Sequence, residues 1–354
     1  MPRSSVVKLL TTEVAAATGG RLVGPDVVVS GAAIDSRLVT GGELFVPVVA
    51  ARDGHDFVAA AVAAGAVAYL SARPVDGGRA LAGTNIPAVE VDDTGVALTA
   101  LGRHARERLD GRIGGRIVGV TGSVGKTSVK DLLATALRAR WRSAASAGSF
   151  NNELGVPLTL LNTADDVEAL VVEMGARGVG HIADLCAVAR PHVGIVTRVA
   201  AVHTETFGTV DDVAKAKGEL VASLPADGVA VLNAGDPRVA AMAGRTSARV
   251  VTFGAGGDVR AEEVRLDDDL VPAFRLVTPW GPAEVRLAVR GTHMVDNALA
   301  AAAAALVCDV PLDGVAAALA TAQVSRWRMQ LVTARSGARV INDAYNANPT
   351  SMAA

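Results

Sequence analysis

Gly119-Val-Thr-Gly-Ser-Val-Gly-Lys-Thr127 ends one apolar run, 117–120, and opens a stretch with helical spacing, 129–138. A strand that turns through glycines into a helix on Gly-Lys-Thr is the context in which backbone N–H groups and a helix N-terminus surround phosphate oxygens. Gly122, Ser123, Gly125, Lys126, Thr127 and Ser128 are therefore candidate nucleotide-binding residues. Lys126 would sit against the β- and γ-phosphates and the Thr127 hydroxyl on Mg²⁺. The strict spacing of such loops asks for glycine at 120, where Val120 stands, with Gly119 one place early.

Outward from the loop, apolar runs at 169–174, 193–199 and 229–233 alternate with helical stretches, which predicts a mostly parallel sheet covered on both faces by helices. A more antiparallel section is expected at 259–289 and a buried alanine-rich helix at 294–306. Upstream, short runs at 27–30, 44–49 and 66–70 and a helical stretch near 57–64 read as a small α/β unit, with the cluster 111–116 as its linker. The expected fold class is α/β, in three parts: 1–111, 112–325 and 326–354. The last part starts with strands near 329–333 and 339–342.

The chain has 354 residues, half of them hydrophobic and a fifth charged, enough for large cores. A formal net charge of -2 with no basic blocks argues against nucleic acid as a partner. No apolar run is long enough for a membrane span, and the first twenty residues do not read as a signal peptide, so a cytoplasmic protein is expected. Two distant cysteines, Cys186 and Cys308, give no disulfide framework. Arginine is plentiful, yet lysine occurs only at 8, 126, 130, 215 and 217. A lysine in such a chain suggests chemistry that needs a compact ammonium or a modifiable amine.

Glu173 closes the run Ala169-Leu-Val-Val and would emerge at the carboxyl edge of a parallel strand, where ligands of open α/β sheets bind. There it could hold Mg²⁺ or simply face solvent. His203 follows the 193–199 run and, taken alone, reads as a loop histidine. Lys215 and Lys217 lie among small and apolar neighbours in a helical segment. Either could be solvated, but a buried lysine there would have a depressed pKa and could react with CO₂.

Together these segments resemble the Mur ligases, over essentially the whole chain. The family's loop, T-G-[ST]-x-G-K-[ST], matches Thr121 to Thr127 and accounts for the displaced glycine. Ile34-Asp-Ser-Arg37, Gly42-Glu-Leu-Phe45 and Asp53-Gly-His-Asp-Phe57 are similar to segments that hold a UDP-sugar, which implies substrate contacts for Asp35, Ser36 and Arg37. Phe150-Asn-Asn-Glu-Leu-Gly-Val-Pro157 resembles a loop of the members that add D-alanyl-D-alanine, which implies substrate roles for Asn151 and Asn152. Glu173-Met-Gly-Ala176 resembles the segment with the family's metal glutamate, which implies that role for Glu173. The segment His203, Glu205, Phe207 and Gly208 supplies a second metal ligand at His203, and Ala216-Lys-Gly-Glu219 places Lys217 where the family has a carbamylated lysine.

Gly291-Thr-His-Met-Val-Asp-Asn297 resembles a nucleotide-contacting segment ending on Asn297. Ser325-Arg-Trp-Arg-Met329 implies a phosphate contact for Arg326, and Ile341-Asn-Asp-Ala-Tyr-Asn-Ala-Asn-Pro-Thr-Ser-Met352 a ribose contact for Asp343. Arg198 stands where relatives more often have asparagine. The resemblance implies an ATP- and Mg²⁺-dependent, monomeric ligase that activates the carboxylate of UDP-N-acetylmuramoyl-tripeptide as an acyl phosphate and joins it to D-alanyl-D-alanine, with Lys126, His203 and Lys217 as catalytic groups. It also implies a Rossmann-like C-terminal domain, of which this chain holds the start. Two alternatives stay open: a binding remnant without ligase activity, and a related Mur ligase with another amine substrate.

Overall fold

A computed structural model of the protein describes residues 6–75, 86–201, 207–347 and 352. The chain divides into two compact units, Met1–Arg112 with Glu153–Val167, and Ile113–Asn152 with Glu168–Ala354.

The first unit holds a five-stranded sheet in the order Arg21–Val23, Ala88–Glu90, Ala68–Ser71, Leu44–Phe45, Ala32–Ala33. The first pair is antiparallel and the others parallel. Phe45 and Tyr69 from adjacent strands pack with Val58 and Ala61 of the helix Val58–Ala63. The run at 27–30 pairs instead with Lys8–Leu10 in a separate antiparallel ladder.

The first half of the expected linker at 111–116 is helix, and the boundary between the two units falls within it. Thr94–Ile113 runs through Gly111 and Arg112, and the chain turns only at Gly114 and Gly115. Glycine in a helix interior costs about 1 kcal/mol relative to alanine. Burial of Leu98, Leu101, Ala105, Leu109 and Ile113 at helical spacing outweighs it.

The second unit is built on six parallel strands in the order Arg249–Phe253, Val229–Asn233, Val193–Val196, Ile117–Thr121, Ala169–Glu173, Ser143–Ala145. Side chains alternate between its faces. Val118, Val120, Ile195 and Val231 join the core with the helices Lys126–Leu137, His293–Val307 and Leu312–Leu319, whereas Val196, Ala230 and Leu232 pack with Val210–Ala222 on the other face. Helices therefore cover both faces, as the alternating pattern predicts. From the central strand Ile117–Thr121 the later strands are laid down on both sides, and the crevice at that reversal is where such sheets bind ligands.

The helix His293–Val307 carries six consecutive, fully buried alanines, Ala300 to Ala305. The antiparallel expectation at 259–289 is met by Arg260–Leu266, Pro272–Thr278 and Gly281–Arg286. Beyond 326 an antiparallel hairpin, Gln330–Thr333 with Arg339–Asn342, leaves Val332, Val340 and Ile341 exposed.

Candidate active site

The loop after Ile117–Thr121 is held from below by the segment that continues the neighbouring strand. Ser123 N–H donates to Arg198 O (2.7 Å), and the Thr197 hydroxyl donates to Val124 O (2.6 Å). The Ser123 hydroxyl accepts from Ala200 N–H (2.9 Å) and donates to Ala200 O (3.2 Å). This leaves it a structural tie within the site. Gly122 and Gly125 have φ of 145° and 86°, where side chains are strained. A Cβ on Gly122 would also strike the Thr197 hydroxyl, and one on Gly125 would lie 2.5 Å from Asn297 Oδ1. Gly125 is the N-cap of Lys126–Leu137, so the first N–H groups of that helix open onto the cleft.

Lys126 donates from Nζ to Gly122 O (2.8 Å). Enclosure of the ammonium pulls its pKa below the ordinary lysine value, against the opposing attraction of Glu173 and with a smaller push from Arg328. A phosphate would reverse this by supplying the missing negative charge. Thr127 and Ser128 are buried in the first turn and line the cleft, which has a volume of about 560 Å³.

Glu173 is 1% exposed and faces the same cleft. Its Oε1 accepts from Asn151 Nδ2 (2.8 Å), and its Oε2 is buried with no hydrogen-bond partner. Asn151 is fixed in turn, since its carbonyl accepts from Gly175 N–H (2.7 Å). An unpartnered buried carboxyl oxygen beside a phosphate loop fits a hard cation carried in with phosphate. Among the described residues, no group of three or more His, Cys, Asp or Glu side chains forms a ready metal cage. His203 and Glu205 lie outside the described residues.

Lys217 is 4% exposed on Val210–Ala222, with Nζ 5.9 Å from the Phe207 ring centroid. Burial lowers its pKa from 10.5 to about 7, with a smaller contribution from the Lys126 charge and an opposing one from Glu219. Lys215, two residues earlier, is exposed. Glu219, one turn from Lys215, accepts from the N–H groups of Gly180 (2.6 Å), Ile182 (3.1 Å) and Ala183 (3.1 Å), which ties the Lys217 helix to the start of His181–Ala189.

The cleft is also lined by Asn297, His293, Asp296 and Asp343, with Arg328 and Tyr345. Burial lowers the His293 pKa, and Asp343 and Asp296 oppose it. Arg198 also lines the cleft and pairs with Asp296 (3.3 Å). Asp343 Oδ1 accepts from Met329 N–H (3.0 Å). Of the two arginines in Ser325-Arg-Trp-Arg-Met329, Arg328 lines the cleft, stacked 4.2 Å from the Tyr345 centroid with a buried, unpartnered Nε, whereas Arg326 is exposed. The backbone passes through positive φ at Trp327 (63°) and Met329 (49°), which breaks simple strand alternation and turns Arg328 inward. Sequence reasoning chose Arg326 and had no means of seeing those two turns. It also missed Thr197, Ser149 and Asn233, which have no spacing signature, and did not single out Tyr345 within the matched string 341–352. Asn152 is half-buried and is not part of the cleft lining.

The remaining candidates lie in the first unit. Asp35 caps the turn Ser36–Leu38, accepting from Arg37 N–H (3.0 Å) and pairing with its guanidinium (2.6 Å), which brings its pKa down to about 2. The Arg37 side chain is 86% exposed. Nearby in sequence, buried His55 donates from Nδ1 to Asp53 (2.6 Å) while its Nε2 accepts from Ala72 N–H (3.0 Å), and Arg73 bonds the second Asp53 oxygen (2.6 Å). These bonds set the His55 tautomer.

Residues 120–305 match the Mur ligase middle domain. The chain belongs to the Mur ligase family. Among relatives of this Mur ligase, the UDP-N-acetylmuramoyl-tripeptide–D-alanyl-D-alanine ligase of Mycobacterium tuberculosis is 46% identical over 90% of this chain, which spans 66% of that protein's length. Among solved structures, MurF from Acinetobacter baumannii superposes with a TM-score of 0.88 at 32% identity, covering 99% of this chain and 76% of its own. A MurF ligase from Thermotoga maritima in complex with ADP reaches a TM-score of 0.76 at 28% identity, covering 91% of this chain and 73% of its own. No helix of this Mur ligase, among the described residues, is long and apolar enough to cross a membrane.

Proposed function

We propose that this chain supplies the UDP-substrate and nucleotide parts of an ATP-dependent ligase that adds D-alanyl-D-alanine to UDP-N-acetylmuramoyl-tripeptide in peptidoglycan precursor synthesis, acting in the cytoplasm as a monomer. One observation carries the reading. The phosphate loop and the free oxygen of Glu173 face a single cleft in a chain 46% identical to a ligase of that name. We read residues 1–111 as the UDP-substrate part, 112–325 as the nucleotide part and 326–354 as the start of a ligase domain.

Several of the cleft residues fit the chemistry of that reaction. Carboxylate attack on a triphosphate brings anions together, so positive charge must be preorganised where negative charge develops. Lys126 would exchange its bond to Gly122 O for phosphate oxygens, and Arg328 would offer its unpartnered Nε to the nucleotide. Mg²⁺, held by Thr127, Glu173 and His203, would neutralise charge on the phosphates. Asn297 and Asp343 would orient the nucleoside. Asp35, Ser36, Arg37, Asn151 and Asn152 are assigned to the UDP-substrate and tripeptide.

The burial of Lys217 supports a carbamate. At a pKa of about 7 roughly half of its amine is unprotonated at neutral pH, against about one in three thousand for a lysine near 10.5. The amine adds to CO₂, forming an N–C bond and releasing one proton, and a cation becomes an anionic oxygen ligand suited to Mg²⁺.

The test uses the full gene product containing this chain. Phosphate release from ATP should depend on UDP-N-acetylmuramoyl-tripeptide and D-alanyl-D-alanine together. Release that follows another amine instead would overturn the assignment.

A further inference from the structure

We propose that Lys130 is a positioning residue that sets the Asn151–Glu173 pair relative to the phosphate loop, with Asp131 as its counter-ion. The inference rests on the reading of the cleft as a Mg²⁺-nucleotide site. Lys130 lies one turn after Lys126 on the helix Lys126–Leu137, yet it is 2% exposed and is not part of the cleft lining. Its Nζ donates to Ser146 O (2.9 Å) and Gly148 O (2.8 Å) and pairs with Asp131 Oδ1 (3.1 Å). Three acceptors match the three N–H bonds of an ammonium.

Both ends of that arrangement are anchored. Asp131 Oδ2 accepts from Ser325 N–H (2.8 Å) and the Ser325 hydroxyl (2.7 Å). At the other end, Ser146 accepts at its hydroxyl from Glu173 N–H (3.2 Å), and its own N–H donates to Val171 O (3.0 Å). The carbonyls that Lys130 grips therefore lie between the Glu173 strand and Asn151, three residues beyond Gly148. A shift of the 146–148 backbone would move the Asn151 amide off Glu173 Oε1.

The choice of residue follows from shape. A compact ammonium satisfies three convergent acceptors, whereas the planar guanidinium of arginine presents its donors in a fixed fork and is larger. This chain uses arginine almost everywhere else, so lysine at 130 has a geometric reason.

ADP binding to the purified protein, titrated calorimetrically in EDTA and in Mg²⁺, provides the test. Lys130→Met should keep its magnesium-free affinity and lose ~10-fold or more of the gain that Mg²⁺ gives, the usual cost of removing a partner that orients a ligand. Lys130→Arg should not restore it. Combining Lys130→Met with Asn151→Ala should cost no more than Asn151→Ala alone, because both act through one contact. Additive losses, or an unchanged Mg²⁺ gain, would overturn the proposal. If Lys130→Met does not fold, Asp131→Asn carries the test, with a loss of at least about twofold in the Mg²⁺ gain expected from the weakened anchor and no change overturning it. A parent protein that fails to bind ADP at all overturns the nucleotide reading itself.

Discussion

Asn151 Nδ2 donates to Glu173 Oε1 at 2.8 Å, and the second oxygen of that buried carboxyl has no hydrogen-bond partner. Both side chains bear on metal binding, but their replacements should differ in stability. Asn151→Ala strips the remaining partner and should destabilise the ligand-free protein by about 1–3 kcal/mol, measured by urea unfolding. Glu173→Gln keeps an acceptor for Asn151 and should cost less in stability, while the Mg²⁺-dependent part of ADP affinity falls ~10-fold or more. Equal loss of stability in the two variants would refute this difference.

Gly125→Ala should impair nucleotide binding. At φ 86° the alanine carries on the order of 1–3 kcal/mol of backbone strain, and its Cβ meets Asn297 Oδ1 at 2.5 Å. Titration with ADP should show weaker binding with or without Mg²⁺, in contrast to Glu173→Gln, because the cradle itself is altered.

Lys217 should make stability depend on pH in a defined window. Its folded pKa of about 7 lies below the 10.5 of an exposed lysine, so between those values the unfolded chain binds the extra proton. Stability in CO₂-free buffer should therefore rise with pH from about 7 towards 10.5 and carry no Lys217 slope below 7. Lys217→Met should flatten that rise in urea titrations. Lys217→Ala in the full gene product should abolish turnover, and added bicarbonate should not restore it. Normal activity in that variant would exclude the carbamate.

Glu219→Gln should loosen the junction between two helices. Its carboxylate accepts three N–H bonds at 180, 182 and 183, and charge-assisted bonds are stronger than those of a neutral amide. A loss of about 1–2 kcal/mol is expected, with faster amide exchange confined to residues 180–183. Unchanged exchange there would mean that the charge contributes little.

Much of the second unit was legible because its signals are local. Gly-Lys-Thr after an apolar run fixes both the loop and the helix that follows, and the alternation of strand and helix determines a parallel sheet with two covered faces. The roles read for Lys217 and Glu173 came from family resemblance, and their burial only from the structure, since a strand-end glutamate and a helical lysine read the same whether solvated or buried. Arg328 was not legible, because positive φ at Trp327 and Met329 depends on tertiary packing. The helix through Gly111 was misjudged for a similar reason: glycine counts locally as a breaker, whereas Leu109 and Ile113 are held by burial that only the folded chain provides.

The distribution of lysines has a practical consequence. Lys8 in the first unit and Lys215 in the second are exposed, while Lys126, Lys130 and Lys217 are buried or half-buried. Amine-directed reagents should label lysine side chains chiefly at those two handles. A donor and an acceptor dye placed there would report the distance between the units in solution, and any acylation appearing at Lys126 would signal an empty cleft.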